Sequence, residues 1–109
     1  MPTKGDRERW SRFPDVGCVA CRKDGRPNPN TQVHHLNLGG KAGQVRRGHR
    51  ETIPLCPWHH QTIPPGHLTK AHARELLGPS LAEESRAFRA RYGTDDELLR
   101  WTDELLGAA

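Results

Sequence analysis

An α+β domain, a short β-hairpin followed by helices, is the fold this sequence predicts, on three observations. Thr31 to Leu38 and Glu51 to Leu55 have the β-branched and apolar content of two strands. Beyond Cys56 the pattern turns helical, with two capping boxes, Ser80-Leu81-Ala82-Glu83 and Thr94-Asp95-Asp96-Glu97. The strands lie between two pairs of soft ligands, Cys18-x-x-Cys21 and Cys56-x-x-His59, each spaced to grip one zinc ion from a tight turn.

At 109 residues the chain is read as one domain. It divides into a basic lead-in (1–15), a zinc and hairpin core (16–63) and a helical C-terminal part (64–109). Only 33% of it is hydrophobic and 28% is charged, so the apolar core is thin for the length. A bound metal supplies the folding energy that such a core lacks. No apolar run reaches the roughly 18 residues of a membrane span, and the N-terminus lacks the apolar stretch of a secretion signal. A cytoplasmic protein is expected, where cysteines serve as metal ligands rather than disulfides; an odd count of three agrees.

The charge is uneven. Residues 1–50 carry eleven Lys/Arg against four Asp/Glu, whereas residues 51–109 carry six against nine. A basic half of this kind is an electrostatic footprint for nucleic acid, or simply a solvated surface.

The elements follow in order. A short helix is expected after the basic lead-in, with Trp10 and Phe13 spaced to meet on one face. The cysteine pair runs into the turn formers Arg22 to Asn30. Glycines 39, 40 and 43 make the turn after the first strand, and Pro54 stops the return strand. Thr69 caps a short helix through Leu77 that Gly78-Pro79 closes. The first capping box opens a helix from Ser80 to about Tyr92, ended by Gly93; the second opens one to about Leu106. Leu81, Phe88 and Tyr92, then Leu98, Leu99, Trp101, Leu105 and Leu106, are their buried stripes.

Cys18, Cys21, Cys56 and His59 form a closed tetrahedral set for structural zinc. His60 is one residue beyond His59, about 100° further around a helix, so it points elsewhere and serves another purpose. His34 and His35 diverge likewise on a strand. A metal hydrolase needs a cation to polarise the scissile group and a separate base to activate water, and histidine can be that base at neutral pH. A strand with His34-His35, a basic loop and a helix with His60 could assemble such a site; histidine pairs also occur on ordinary surfaces.

The order Cys18–Cys21, Val33-His34-His35-Leu36, Gly39-Gly40-Lys41 and Ile53-Pro54-Leu55-Cys56 through His59-His60 resembles the zinc-containing HNH nucleases, a branch of the ββα-metal nucleases. With Gly48-His49, Gly78-Pro79-Ser80-Leu81 and Phe88 to Gly93 added, it resembles the phage recombination-enhancement, RecA-dependent nuclease family over roughly residues 16–100. The resemblance implies an HNH-like ββα-metal core that cleaves DNA phosphodiester bonds. His35 would be the general base. His34 and His60 would hold a catalytic divalent ion, Mg²⁺, Mn²⁺ or Zn²⁺, distinct from the structural Zn²⁺. His49 would replace the Asn that usually orients the base. Lys41, Arg46, Arg47 and Arg50 would line the phosphate path. Related sequences tend to carry a His after Gly-Pro-Ser-Leu; this chain has Ala82, and His67 or His72 of the insert could take its place, His67 foremost, or else the ion would have two protein ligands with water and DNA oxygens. The implied partners are DNA and a RecA-type filament, in the cytoplasm of a phage's bacterial host. The alternative is a zinc-stabilised, non-catalytic DNA- or protein-binding module on the same scaffold, which would tolerate loss of His35.

Overall fold

The structure is a computed structural model that describes residues 1–37 and 48–108. The described elements run α1 (Lys4–Ser11), α2 (Phe13–Val16), α3 (Val19–Lys23), β1 (Gln32–His35), β2 (Thr52–Leu55), α4 (Pro57–Gln61), α5 (Lys70–Leu77), α6 (Ser85–Tyr92) and α7 (Asp95–Ala108). The two strands pair antiparallel, with Gln32 opposite Leu55, Val33 opposite Pro54, His34 opposite Ile53 and His35 opposite Thr52. Pro54 has no N–H to give a ladder, and a two-stranded sheet accepts it because each strand has an outer edge. Helices α2, α3 and α7 pack on β2, and α4 packs on both strands and on α5. No helix among the described residues is long and apolar enough to cross a membrane.

Local chemistry sets most boundaries. Thr3 caps α1 in a reciprocal box with Asp6. Thr69 Oγ1 accepts the His72 N–H at 3.1 Å and opens α5. Thr94 and Glu97 exchange bonds of 2.9 and 3.2 Å to open α7, as their sequence pattern predicts. Glycine ends α5 for two reasons. Gly78 has φ 86°, and a Cβ there would lie 2.6 Å from the Tyr92 hydroxyl.

The helix expected from Ser80 starts only at Ser85; residues 81–83 form a turn. One α-turn does close there, Glu84 N–H donating to the Ser80 carbonyl at 2.9 Å, but Glu84 itself (φ −135°, ψ 53°) leaves the helical conformation and tertiary bonds hold the segment. The Leu81 N–H donates to the His59 carbonyl at 2.8 Å, and Ser80 Oγ lies 2.5 Å from Thr62 Oγ1. Glu83 and Glu84 are drawn sideways to Arg74. The N-terminal lead-in, too, is part of the fold: Arg9 bonds Thr52 of β2 and Asp103 of α7.

The core joins the hairpin to the helices through Phe13, Val19, Leu36, Ile53, Leu55, Trp58, Phe88, Tyr92 and Leu98, all buried. The three cysteines belong to the same cluster. Burying a large apolar side chain contributes about 1.5–3 kcal/mol. The expected C-terminal stripes are therefore in place, with Leu99, Trp101 and Leu105 packed partly buried against the core.

Candidate metal centre and histidine site

Two short helices build the cysteine site. Cys18 is the N-cap of α3, its sulfur accepting the Cys21 N–H at 3.4 Å; Cys56 is the N-cap of α4, its sulfur accepting the His59 N–H at 3.4 Å. Each pair thus points its two ligand atoms off one helix start. His59 Nδ1 lies 3.6, 3.5 and 3.3 Å from the sulfurs of Cys18, Cys21 and Cys56, and the Cys21 and Cys56 sulfurs are 3.9 Å apart. All four ligand atoms fall within 4.8 Å of one another and all four residues are buried. With zinc–sulfur bonds of about 2.3 Å and zinc–nitrogen bonds of about 2.0 Å, a tetrahedron has edges of about this length.

The surroundings suit a cation. Burial and the neighbouring sulfurs push the Cys18 thiol up, whereas hydrogen bonds from Cys18, Cys56, His59 and Asn28 hold Cys21 well below the usual thiol range. Burial opposes a charge on His59, yet hydrogen bonds and the charge of Cys21 and Cys56 hold that imidazole up to about 9. Three crowded sulfurs therefore draw positive charge into a buried pocket, and the residues fit zinc. The far nitrogen is anchored as well: His59 Nε2 donates to the Leu77 carbonyl at 2.7 Å, with the Tyr92 hydroxyl at 3.2 Å. Tyr92 in turn donates to Asp24 at 2.8 Å. Such contacts fix the ring and leave Nδ1 as the ligand.

His60 does turn away from this centre. Its Nδ1 donates to Gln32 Oε1 at 2.8 Å, which puts its lone pair on Nε2. Its ring meets that of His34, centroids 5.0 Å apart and edge to face. Burial, then the neighbouring His60, pushes His34 down to about 4, so it is neutral at pH 7. A neutral imidazole is the form that ligates a metal.

His35 faces the other side of the strand. Its Nε2 is 3.1 Å from His49 Nδ1, and the Trp10 ring meets both imidazoles edge-on, at 5.8 and 5.6 Å. Arg50 is exposed beside His49 and lines a cleft of about 460 Å³ together with Asp6, Arg9, Arg12 and Asp103. Lys41, Arg46 and Arg47 lie outside the described residues. His67, His72 and Ala82 are exposed. Among the described residues, the Cys₃His centre is the one place where three or more His, Cys, Asp or Glu side chains gather for a metal.

Sequence spacing does not mark five residues as belonging to these sites. Gln32 binds His60, Asp24 and Tyr92 support His59, and Trp10 and Thr52 surround His49. A tyrosine rather than phenylalanine at the end of a buried stripe was the one available signal for Tyr92, since a buried hydroxyl needs a partner.

The sequence matches the family described as recombination enhancement, RecA-dependent nuclease, over residues 2–107. The match spans nearly the whole chain and includes both ligand pairs, both strands and every described helix except the last residue of α7. The chain therefore belongs to the RecA-dependent nuclease family of recombination-enhancement proteins.

Proposed function

We propose that this protein is a metal-dependent DNA endonuclease of the HNH type, with β1, β2 and α4 as its ββα-metal unit. The observation that carries the reading is the divergence of two adjacent histidines. His34 meets His60 on one side of the hairpin, and His35 meets His49 on the other. That separation provides a ligand pair and a base pair, the two functions phosphodiester hydrolysis requires.

The residues divide the work as follows. His34 and His60 are the side chains that would hold a divalent ion, with water and DNA oxygens at its other positions. When bound, the ion supplies charge stabilisation for the phosphate and the leaving oxygen. His35 takes the proton of the attacking water. For that it needs a lone pair on Nδ1, which follows if Nε2–H donates to His49 Nδ1 across the 3.1 Å contact. His49 thus sets the tautomer of His35, as the usual Asn would set its orientation. Arg50, with Lys41, Arg46 and Arg47, offers charge to the DNA backbone. The buried cysteine centre stays closed and structural, since all four of its ligands come from the protein.

The test is cleavage of supercoiled and single-stranded DNA with Mg²⁺, Mn²⁺ or Zn²⁺, with and without a RecA filament, by wild type, His35→Ala and His60→Ala. Nicking or cutting by wild type, lost in both variants, is expected; equal background in all three sinks the nuclease reading. A second reading, a zinc-stabilised nucleic-acid-binding module, is favoured by one observation: no third side-chain ligand joins His34 and His60 among the described residues. Under that reading DNA binding survives His35→Ala and no condition gives cleavage.

A further inference from the structure

We propose that Thr52 and Trp10 are positioning residues for the His35–His49 pair, a role that rests on the nuclease reading above. Thr52 stands directly across the hairpin from His35, so the two side chains share one face. Its side chain is fully buried, and its hydroxyl has three partners. Trp10 Nε1 donates to Oγ1 at 3.0 Å and Arg9 Nε donates at 3.3 Å. Both are donors only, so they occupy the two acceptor positions of the hydroxyl and leave its single proton to be given away. It goes to the His49 carbonyl oxygen, 3.2 Å distant.

The direction of every bond in this set is therefore determined by chemistry. The main chain of His49 is held by Thr52, and Thr52 is held by two residues of α1. The same Trp10 that donates to Thr52 lays its ring against both imidazoles, at interplanar angles of 70° and 80°. His49 has its backbone fixed below and its ring enclosed at the side, with His35 as its ring partner. Arg9 extends the support by bonding the Thr52 carbonyl at 2.7 Å and Asp103 at 2.7 Å, which ties α1 to β2 and α7. Neither Trp10 nor Thr52 faces the His34–His60 side of the strand. Their effect on chemistry runs through the geometry of the base alone.

Thr52→Val keeps the shape and removes the hydroxyl; Thr52→Ser keeps the hydroxyl and is the rescue. Trp10→Phe keeps an aromatic ring and removes the donor, and it leaves the buried strand intact. Misplacing a reacting group by about an ångström costs up to roughly 100-fold in rate. We expect Thr52→Val and Trp10→Phe to lower kcat for plasmid nicking by about 10- to 100-fold with KM for DNA unchanged, and Thr52→Ser to restore most of it. Zinc content and melting temperature, measured on the same samples, separate loss of fold from loss of positioning. Wild-type kcat in folded Thr52→Val and Trp10→Phe overturns the proposal. If wild type itself cuts nothing, the nuclease reading fails, and ring-nitrogen NMR still decides the positioning. A His35–His49 hydrogen-bond signature present in wild type and Thr52→Ser but lost in Thr52→Val supports it; the same signature in all three overturns it.

Discussion

Replacing Cys56 by serine separates the two roles of that residue. Cys56 is both a ligand atom and the N-cap of α4. Serine is among the best N-caps, so Cys56→Ser keeps the helix start and removes only a zinc ligand. Structural zinc contributes about 10–16 kcal/mol in small zinc domains, whereas a chain of this length has a net stability of about 5–15 kcal/mol. A zinc ion bound here would thus be worth as much as the whole folding balance, in a protein whose three cysteines lie within its hydrophobic cluster. Losing a contact beside the ligands costs about 10- to 100-fold in metal affinity, and losing a ligand costs more, above about 3 kcal/mol. At about 4–8 °C per kcal/mol for a domain of about this size, the melting temperature should fall by about 10 °C or more. Zinc per chain, measured by plasma mass spectrometry after gel filtration, should drop below one, and calorimetry should show the shift. A folded Cys56→Ser protein that retains one zinc and melts with wild type refutes the four-ligand assignment.

Three further outcomes follow from single contacts. Tyr92→Phe removes the donor to Asp24, which keeps its ion pair with Arg91; stability should fall by about 1.5 kcal/mol and zinc transfer to a chelator should quicken by up to about tenfold. An unchanged transfer rate would show that the hydroxyl does not support His59. Gly78→Ala places a Cβ on the Tyr92 hydroxyl at a φ of 86°, so urea unfolding should show a loss of at least about 1–3 kcal/mol, and a neutral result contradicts the geometry. The Glu97 carboxyl is held below its ordinary value by the Thr94 N–H, then by the Thr94 hydroxyl. Its folded titration point is lowered, so its contribution is present above the unfolded value of 4.5 and is lost as pH falls through the lower, folded one. Denaturant midpoints of wild type and Glu97→Gln should accordingly differ at pH 7 and converge on acidification; a constant gap excludes this linkage.

Ligand pairs were legible because they are local. Cys18-x-x-Cys21 and Cys56-x-x-His59 each need only one turn of chain, and the divergence of His59 from His60 needs only the rotation per residue of a helix. The caps at Thr69 and Thr94 were legible for the same reason. Ser80 shows where local reading stops. Its capping pattern is complete, and its hydroxyl does accept from Glu83 N–H at 3.4 Å, but the helix begins later because Glu84, at φ −135° and ψ 53°, leaves the helical conformation after one turn, its carboxylate bonded to Arg74. Trp10 shows the same limit at the site. Its spacing to Phe13 reads as a core stripe, and Phe13 is buried, but the indole reaches forty-two residues along the chain to Thr52 and to a histidine pair. No pattern within a window of sequence encodes that contact. The resemblance of order and spacing reached His49 as the partner of His35, which hydrophobic periodicity alone does not.

The peptide bond between His59 and His60 joins the cysteine–histidine centre to the proposed catalytic site, on a helix that cannot stand alone. Helix α4 spans five residues, far below the roughly 12–15 at which an isolated helix is even marginal. Its position is imposed by the cysteine–histidine centre, by Trp58 Nε1 donating to the Gly78 carbonyl at 2.9 Å, and by Leu81 N–H on the His59 carbonyl. His60 meets His34 from the turn that His59 begins, with its Nδ1 also held by Gln32 of β1. A metal closed in this centre would thus do more than substitute for a thin core. It would fix one rigid turn from which the neighbouring residue is aimed at the hairpin, while Thr52, at the start of the same β2 strand, anchors the loop that carries His49. Strand β2 and helix α4 are contiguous, so one short segment, Thr52 to His60, sets both halves of the proposed active site. Two of the four candidate zinc ligands, Cys56 and His59, lie inside that segment, where rigidity would have the most effect on the proposed chemistry.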